Sequence, residues 1–157
     1  MPSGPVVPAG LAVAPEQKLL LSADARGVQI YECLADKSDA THFAWSFLAP
    51  EAELFDDKGH VIGKHYAGPT WESRDGSKVV GVVVARENGP DANAIPWLLL
   101  NAKSTSGTGP FGITKSIQRI GTWGGKAPAD GCDASRAGTT LRVPYTATYR
   151  FYGGASQ

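Results

Sequence analysis

The chain has 157 residues, with 15 basic residues balanced by 15 acidic ones, and is 42% hydrophobic and 19% charged. That length fits one domain with a real hydrophobic core, and the absence of like-charge runs leaves no footprint for a nucleic acid backbone and no polybasic membrane patch. No stretch approaches the roughly 20 apolar residues a membrane helix needs, so no membrane span is expected.

The N-terminal "MPSGPVVPAGLAVAPE" is broken by Pro5, Pro8 and Pro15 and lacks a basic start. It is a poor signal peptide and reads as an extended, partly mobile tail, or as the mature end left once a signal has been removed. The expected organisation is a Pro/Ala-rich tail over residues 1–15 and a single domain over residues 16–157. In that domain "QKLLLSADA", "GVQIYECLA", "HFAWSFLA" and "AELFDD" read as strands, followed by "HVIGKHYAG" and "TWES". "KVVGVVVARE", "PWLLLNAKS", "SIQRIGTW" and "LRVPYTATYRFY" complete the series. The last carries the clearest signal: Leu141, Val143, Tyr145, Ala147, Tyr149 and Phe151 share one phase, and Arg142, Thr146, Thr148 and Arg150 the other. Such period-two alternation predicts a strand with one wet face. "VVGVVVA" and "WLLL" are continuous apolar runs, as expected of strands covered on both faces. "DDKG" and "RDGS" place glycine after charged turn formers and predict hairpins. No segment has a capped 3.6-residue apolar period; at most a short helical turn is expected near "CDASRAG". The fold class is therefore all-β, a single-domain antiparallel β-barrel or β-sandwich of about 8–10 strands with little helix, and sequence alone does not separate the two.

Most chemical motifs are absent. "GTGPFG", Gly107–Gly112, matches G-x-G-x-x-G, but "ITKSIQRIGTW" follows it and reads as a strand. A dinucleotide site needs a helix opening at those glycines, so a strand-connecting loop is expected. There is no G-x-S-x-G elbow, no Ser-x-x-Lys and no cysteine beside a base. His60 and His65 would face opposite ways in a continuous strand. A bulge at Gly63 would bring them together with Asp56 or Asp57 as a metal cluster; the preferred reading is a solvated His60 and a hydrogen-bonded His65 beside aromatics. Neither metal nor cofactor is expected. Glu32, in phase with Val28 and Ile30, and Glu72, next to Trp71, are candidate inward carboxylates with raised pKa, weighed against strand-end carboxylates paired with Lys or Arg. The two cysteines, Cys33 and Cys132, belong to no Cys-x-x-Cys pair, which removes zinc and thioredoxin-like readings. One disulfide in an exported protein and two buried thiols in a cytosolic one both fit. The first is preferred because each cysteine adjoins a turn-like or strand-end stretch.

The aromatics Tyr31, Trp45, Tyr66, Trp71, Trp97 and Trp123 are spread over most of the strands, several beside polar residues. Converging, they would line a small-ligand pocket; otherwise they are core fillers and strand-pair partners. The stretch "GKHYAGPTWE" is expected to turn a corner at Gly68-Pro69, leaving His65 and Glu72 as its candidate chemistry.

"GVQIYEC", "HYAGPTWE" with "DGSKVVG", "IPWLLL", "SIQR" with "GGKAPADGCD", and "VPYTATYRFY" together resemble the domain of unknown function 3455 family, from about Gln17 to Tyr152. The resemblance implies a secreted bacterial or fungal protein with a signal peptide ahead of the domain, and a Cys33–Cys132 disulfide. It implies no reaction. The family's motif residues fall on Tyr31, Glu32, His65, Tyr66, Gly68, Pro69, Trp71, Glu72, Pro96, Trp97, Gln118, Arg119 and Tyr145. The chain departs at "TWGG", where a bulky Trp123 would partly fill a pocket placed there.

Three readings follow. The preferred one is a secreted or periplasmic binding domain for a small, partly apolar molecule, with Tyr31, Glu32, Tyr66, Trp71, Trp97, Gln118 and Trp123 as ligand contacts. A cofactor-free enzyme would use His65 or Glu72 as acid or base, with Arg119 orienting an anionic or carbonyl group. A structural envelope or cell-surface protein would have no enclosed pocket and an exposed apolar patch. The readings part on where His65, Trp71, Glu72 and Arg119 point. Oligomeric state is left open.

Overall fold

The alternation in "LRVPYTATYRFY" translates directly into β8 (Thr140–Gly153), where Tyr145, Ala147, Tyr149 and Phe151 are buried and the residues between them are only partly so. In a computed structural model, which describes residues 7–154, seven further strands precede it. They are β1 (Lys18–Ala35), β2 (Phe43–Phe55), β3 (Val61–Tyr66), β4 (Thr70–Ser73), β5 (Lys78–Glu87), β6 (Trp97–Ser106) and β7 (Thr114–Gly124). Each pairs antiparallel with the next, and β8 returns to β1 from Lys18↔Gly153 to Glu32↔Thr140, closing an eight-stranded barrel. The only helical pieces among the described residues are 3₁₀ turns at Ala9–Leu11, Pro110–Ile113 and Ala134–Arg136. The second of these lies in the "GTGPFG" loop, and the third lies in "CDASRAG".

Two pairs of predicted strands are fused. "QKLLLSADA" and "GVQIYECLA" form the single 18-residue β1. The Arg26-Gly27 break between them is no turn: β2 presses so closely there that a Cβ at Gly27 would overlap the Glu51 carbonyl and the Ala52 Cα. Likewise "HFAWSFLA" and "AELFDD" run through Pro50 as β2. The predicted hairpins form at both charged turns. Asp56 Oδ1 accepts from the backbone N–H groups of Lys58 and His60, and Asp75 Oδ1 from that of Ser77, with Gly59 and Gly76 at positive φ.

A meander of this kind sends its connections alternately to two ends. At one end Phe111, fully buried in the β6–β7 connection, packs on Phe151 with ring centroids 4.5 Å apart. Ala23, Ala25, Leu54, Val79, Leu100, Ile117 and Ala147 join them in the core. The other end is roofed by the β5–β6 and β7–β8 connections, which hold each other through the Ala94↔Gly125 bridge and the Ile95 N–H to Gly124 carbonyl bond. Cys33 and Cys132 form a disulfide that ties the β7–β8 connection to β1, and Trp45 Nε1 donates to the Asp130 carbonyl beside it.

Residues 7–15, the described part of the predicted tail, lie against the outside of the barrel. Leu11 is fully buried there with Trp97 and Ile120, and Gln118 Nε2 donates to the Leu11 carbonyl. Residues 1–6 of that tail are outside the described residues. The apolar run in β5 departs from expectation. Val79 is buried, but Val82, Val83 and Val84 are each more than a third exposed: Val82 pairs with Asn101 on the uncovered outer face, Val84 is the extra residue where the register slips, and Val83 lies beside the part of β5 that the short β4 does not reach.

Two stability tests follow. Replacing Cys33 and Cys132 by serine, or reducing them, is expected to cost about 2–5 kcal/mol in urea unfolding, while the untreated protein yields no titratable thiol. Gly27→Ala is expected to lower the unfolding free energy in urea by about 1–3 kcal/mol through overpacking, and unchanged stability would show that β2 yields freely.

Candidate functional site

The shortness of β3 and β4 builds the site. β2 pairs with β3 only from Ala52 to Phe55, and β5 with β4 only from Lys78 to Val80. The Ala67-Gly68-Pro69 corner, with Gly68 at φ +115°, therefore ends half-way up the barrel wall. Above it, Phe43–Glu51 of β2 and Val82–Glu87 of β5 flank a window. Behind the window lies a cavity of about 480 Å³. Gly68 and Pro69 line it at the level of the corner, Phe47, Leu48, Pro50, Val83 and Arg86 at the two flanking strands, and Gln29, Tyr31, His65, Trp71, Leu98, Leu100, Arg119 and Tyr149 among its remaining walls.

His65 and Trp71 face each other across the β3–β4 register, their rings stacked at 4.3 Å and 15°. Tyr149 packs on both, at 5.1 Å and 5.4 Å. His65 Nδ1 lies 2.8 Å from the Thr70 carbonyl. A carbonyl only accepts, so Nδ1 carries the proton and Nε2 is left as an acceptor. Burial holds the His65 pKa down at about 3, and the nearby Arg119 guanidinium acts in the same direction. The imidazole is therefore neutral at ordinary pH, which makes it a weak base.

Arg119 is buried, reaching from β7 so that Nε and Nη2 both donate to the Pro96 carbonyl, at 3.0 and 2.8 Å. Thr122, further along β7, donates to the neighbouring Ile95 carbonyl. Tyr31 donates from its hydroxyl to the Gly125 carbonyl, and burial raises its pKa. The Tyr145 and Tyr149 hydroxyls share a bond of 3.1 Å, and burial pushes the Tyr145 pKa far up. Two wall residues retain unpartnered buried atoms among the described residues, Gln29 Oε1 and Trp71 Nε1. Leaving such groups unbonded costs about 1–3 kcal/mol each.

Of the residues singled out from the sequence, the barrel brings Tyr31, His65, Trp71 and Arg119 to this one cavity. Glu72 lies on the other side of the wall. The register pairs it with Lys64 one step from His65↔Trp71, and strand alternation sends it outward. There it accepts from the Tyr66 hydroxyl at 2.7 Å, the main cause of its lowered pKa, with Lys78 and Lys64 adding to the effect. An acid–base pair of His65 and Glu72 is thus ruled out by the sheet itself, and Tyr66 goes outside with Glu72. Glu32 takes the outward phase of β1, since Gln29 and Tyr31 hold the inward one. Trp97 and Gln118 also face outward, under residues 7–15. Trp123 is 58% exposed and fills no pocket. His60 sits on the β2–β3 turn against Asp56, and no group of three or more metal-ligating side chains occurs among the described residues.

Gln29 and Tyr149 also line the cavity, and no sequence motif marks them for it. The signal for Tyr149 was its place four residues after Tyr145 in the inward phase of β8, which puts two hydroxyls inside one strand's apolar face. Gln29 shares the phase of Tyr31, and only the observed register reveals that phase as the inner one.

The neutral His65 generates a pH test. A histidine in the unfolded chain takes up its proton near 6.5, the folded one only near 3. The unfolded state thus binds more protons between those values, so this contribution to stability is complete above 6.5 and is lost as the pH falls toward 3. Wild type is expected to lose more stability than His65→Phe between about pH 7.5 and about pH 4.5 in urea unfolding. Parallel losses would contradict the buried neutral imidazole.

No curated protein and no solved structure matches the chain. A family model described as a protein of unknown function, DUF3455, matches residues 14–153, nearly the whole barrel with its roof and window. The chain belongs to the DUF3455 family.

Proposed function

We propose that the protein is an exported binding domain that holds one small, partly apolar molecule in the upper half of its barrel. The cavity carries this reading: about 480 Å³ of space behind a side window, within the range of about 300–1,000 Å³ usual for small-molecule sites. Eight-stranded barrels have an interior that side chains either fill or leave for a single small ligand. Here the half around Phe111 and Phe151 is filled and the half around His65 and Trp71 is not. The aromatic rings supply apolar contact, and Phe47, Leu48 and Val83 place exposed apolar surface at the window. The disulfide supports export, since such bonds persist in oxidising compartments. The reading as a structural surface protein has only that apolar patch in its favour, and the patch lies where a pocket opening needs it.

The test uses the neutral fluorophore N-phenylnaphthylamine with wild type, Val83→Trp at the window and Leu98→Trp on the inner wall. Wild type is expected to bind one equivalent, shifting the Trp71 indole and His65 ring signals in NMR spectra. Each variant, with its fold intact by circular dichroism, is expected to weaken binding at least about tenfold, or 1.4 kcal/mol. Binding that ignores both variants and leaves the interior signals unmoved would place the fluorophore on the outer surface and overturn the proposal.

A further inference from the structure

The cavity wall carries charge of one sign. Among its lining residues the charged ones are Arg86 and Arg119, with no carboxylate, although the chain as a whole is neutral. The two ion pairs among the described residues, His60–Asp56 and Arg142–Glu51, involve neither of them. Arg86 is on the exposed part of β5 and water screens it. Arg119 is different: it is only 9% exposed, and a buried guanidinium without an anion is costly to desolvate.

Its hydrogen bonds are also half used. A guanidinium has five N–H groups in a fixed planar fork. The Pro96 carbonyl takes one from Nε and one from Nη2 along a single edge. The other edge, formed by Nη1 and the second Nη2 proton, has no acceptor among the described residues. Two parallel donors at that spacing match the two oxygens of a carboxylate. Because Pro96 fixes the plane of the guanidinium, the fork is set before anything arrives. Trp71 Nε1 is a further buried donor in the same wall without an acceptor.

We infer that the ligand is a monoanion with an apolar body, a carboxylate held by the free edge of Arg119 while its hydrocarbon part lies among Trp71, Tyr149, Leu98 and Leu100. The inference rests on the binding reading above and names the chemical class that the site takes. A single charge is indicated because one deep guanidinium balances one negative charge; a dianion would bring a second charge into a wall that has no second buried cation.

The experiment compares phenylbutyrate with its primary amide, phenylbutanamide, and with phenylpropyl phosphate, by calorimetry on the intact chain. Wild type is expected to bind the acid at least about tenfold tighter than the amide, the usual difference between a charge-assisted and a neutral hydrogen bond. Arg119→Gln is expected to abolish that preference, bringing acid and amide affinities within about threefold of each other. Arg119→Lys, which keeps the charge and loses the fork, is expected to restore part of it. If Arg119→Gln fails to fold, the acid–amide comparison in wild type and the lysine variant decide. Equal affinity for acid and amide overturns the anion assignment and leaves the apolar-pocket reading standing. Tighter binding of the phosphate than of the acid overturns the monoanionic carboxylate. No binding of any probe, the amide included, overturns both readings.

Discussion

The pairing of β8 with β1 along almost the full length of both strands is the constraint from which the rest of the molecule follows. Once the sheet is a ring, every inward side chain must share one narrow interior, and eight strands give an interior of fixed width. The ring does not require all its strands to be equally long. β1 and β8 run its full height, whereas β3 and β4 reach about half of it. The interior is therefore sealed where all eight strands contribute and open where only six do. Packing around Phe111, Phe151 and Ile117 occupies the sealed part, and the aromatic stack of His65, Trp71 and Tyr149 marks the boundary.

The polar groups of the cavity also hold its roof. Arg119 bonds Pro96, Thr122 bonds Ile95 and Tyr31 bonds Gly125, so three side chains from β1 and β7 fasten both roofing connections from beneath. The disulfide fastens the same roof from its rim. One edge of a buried cation and the hydroxyl of a buried phenol are thus bonded to backbone carbonyls that the connections would otherwise leave unbonded. This arrangement explains why the wall contains polar residues without containing an acid. The proposed recognition would draw on the side chains that hold the roof, with one edge of Arg119 committed to the protein and one not.

Much of this was legible in the sequence where a local rule governs. β8 follows from alternation alone, the hairpins from aspartate followed within two residues by glycine, and the empty dinucleotide motif from the strand after it. The family resemblance rested on blocks along the chain, and the family match spans the same region. Elsewhere the outcome depends on neighbours. Gly27 and Pro50 look like strand breakers, yet both sit inside strands: one because β2 leaves no room for a Cβ, the other because that part of β2 has no second partner. The valines of β5 look doubly buried, yet Val82 takes the uncovered outer face, Val84 sits at a register slip and Val83 lies beyond the reach of β4. The inner phase of β1 runs against hydrophobicity: Val28 and Ile30 are more apolar than Gln29 and Tyr31, yet Gln29 and Tyr31 face the cavity. Trp97 and Gln118 are buried by residues 7–15, a segment whose prolines give no hint of packing.

A barrel is usually the arrangement that frees a sheet from unpaired edges, but the short corner at Ala67-Gly68-Pro69 restores two of them. The backbone of Phe43–Glu51 on one side and of Val82–Glu87 on the other lacks a neighbour on the side facing the window. Beside exposed Phe47, Leu48 and valines, these are surfaces on which another chain's strand would readily add. The sequence places countermeasures along both. Pro50 has no N–H to lend, the β5 register slips between Val83 and Ala85, and Arg86 and Glu87 put charge at the end of that edge. The opening through which a small molecule would reach Trp71 is thus also the place where the fold is guarded against its own copies.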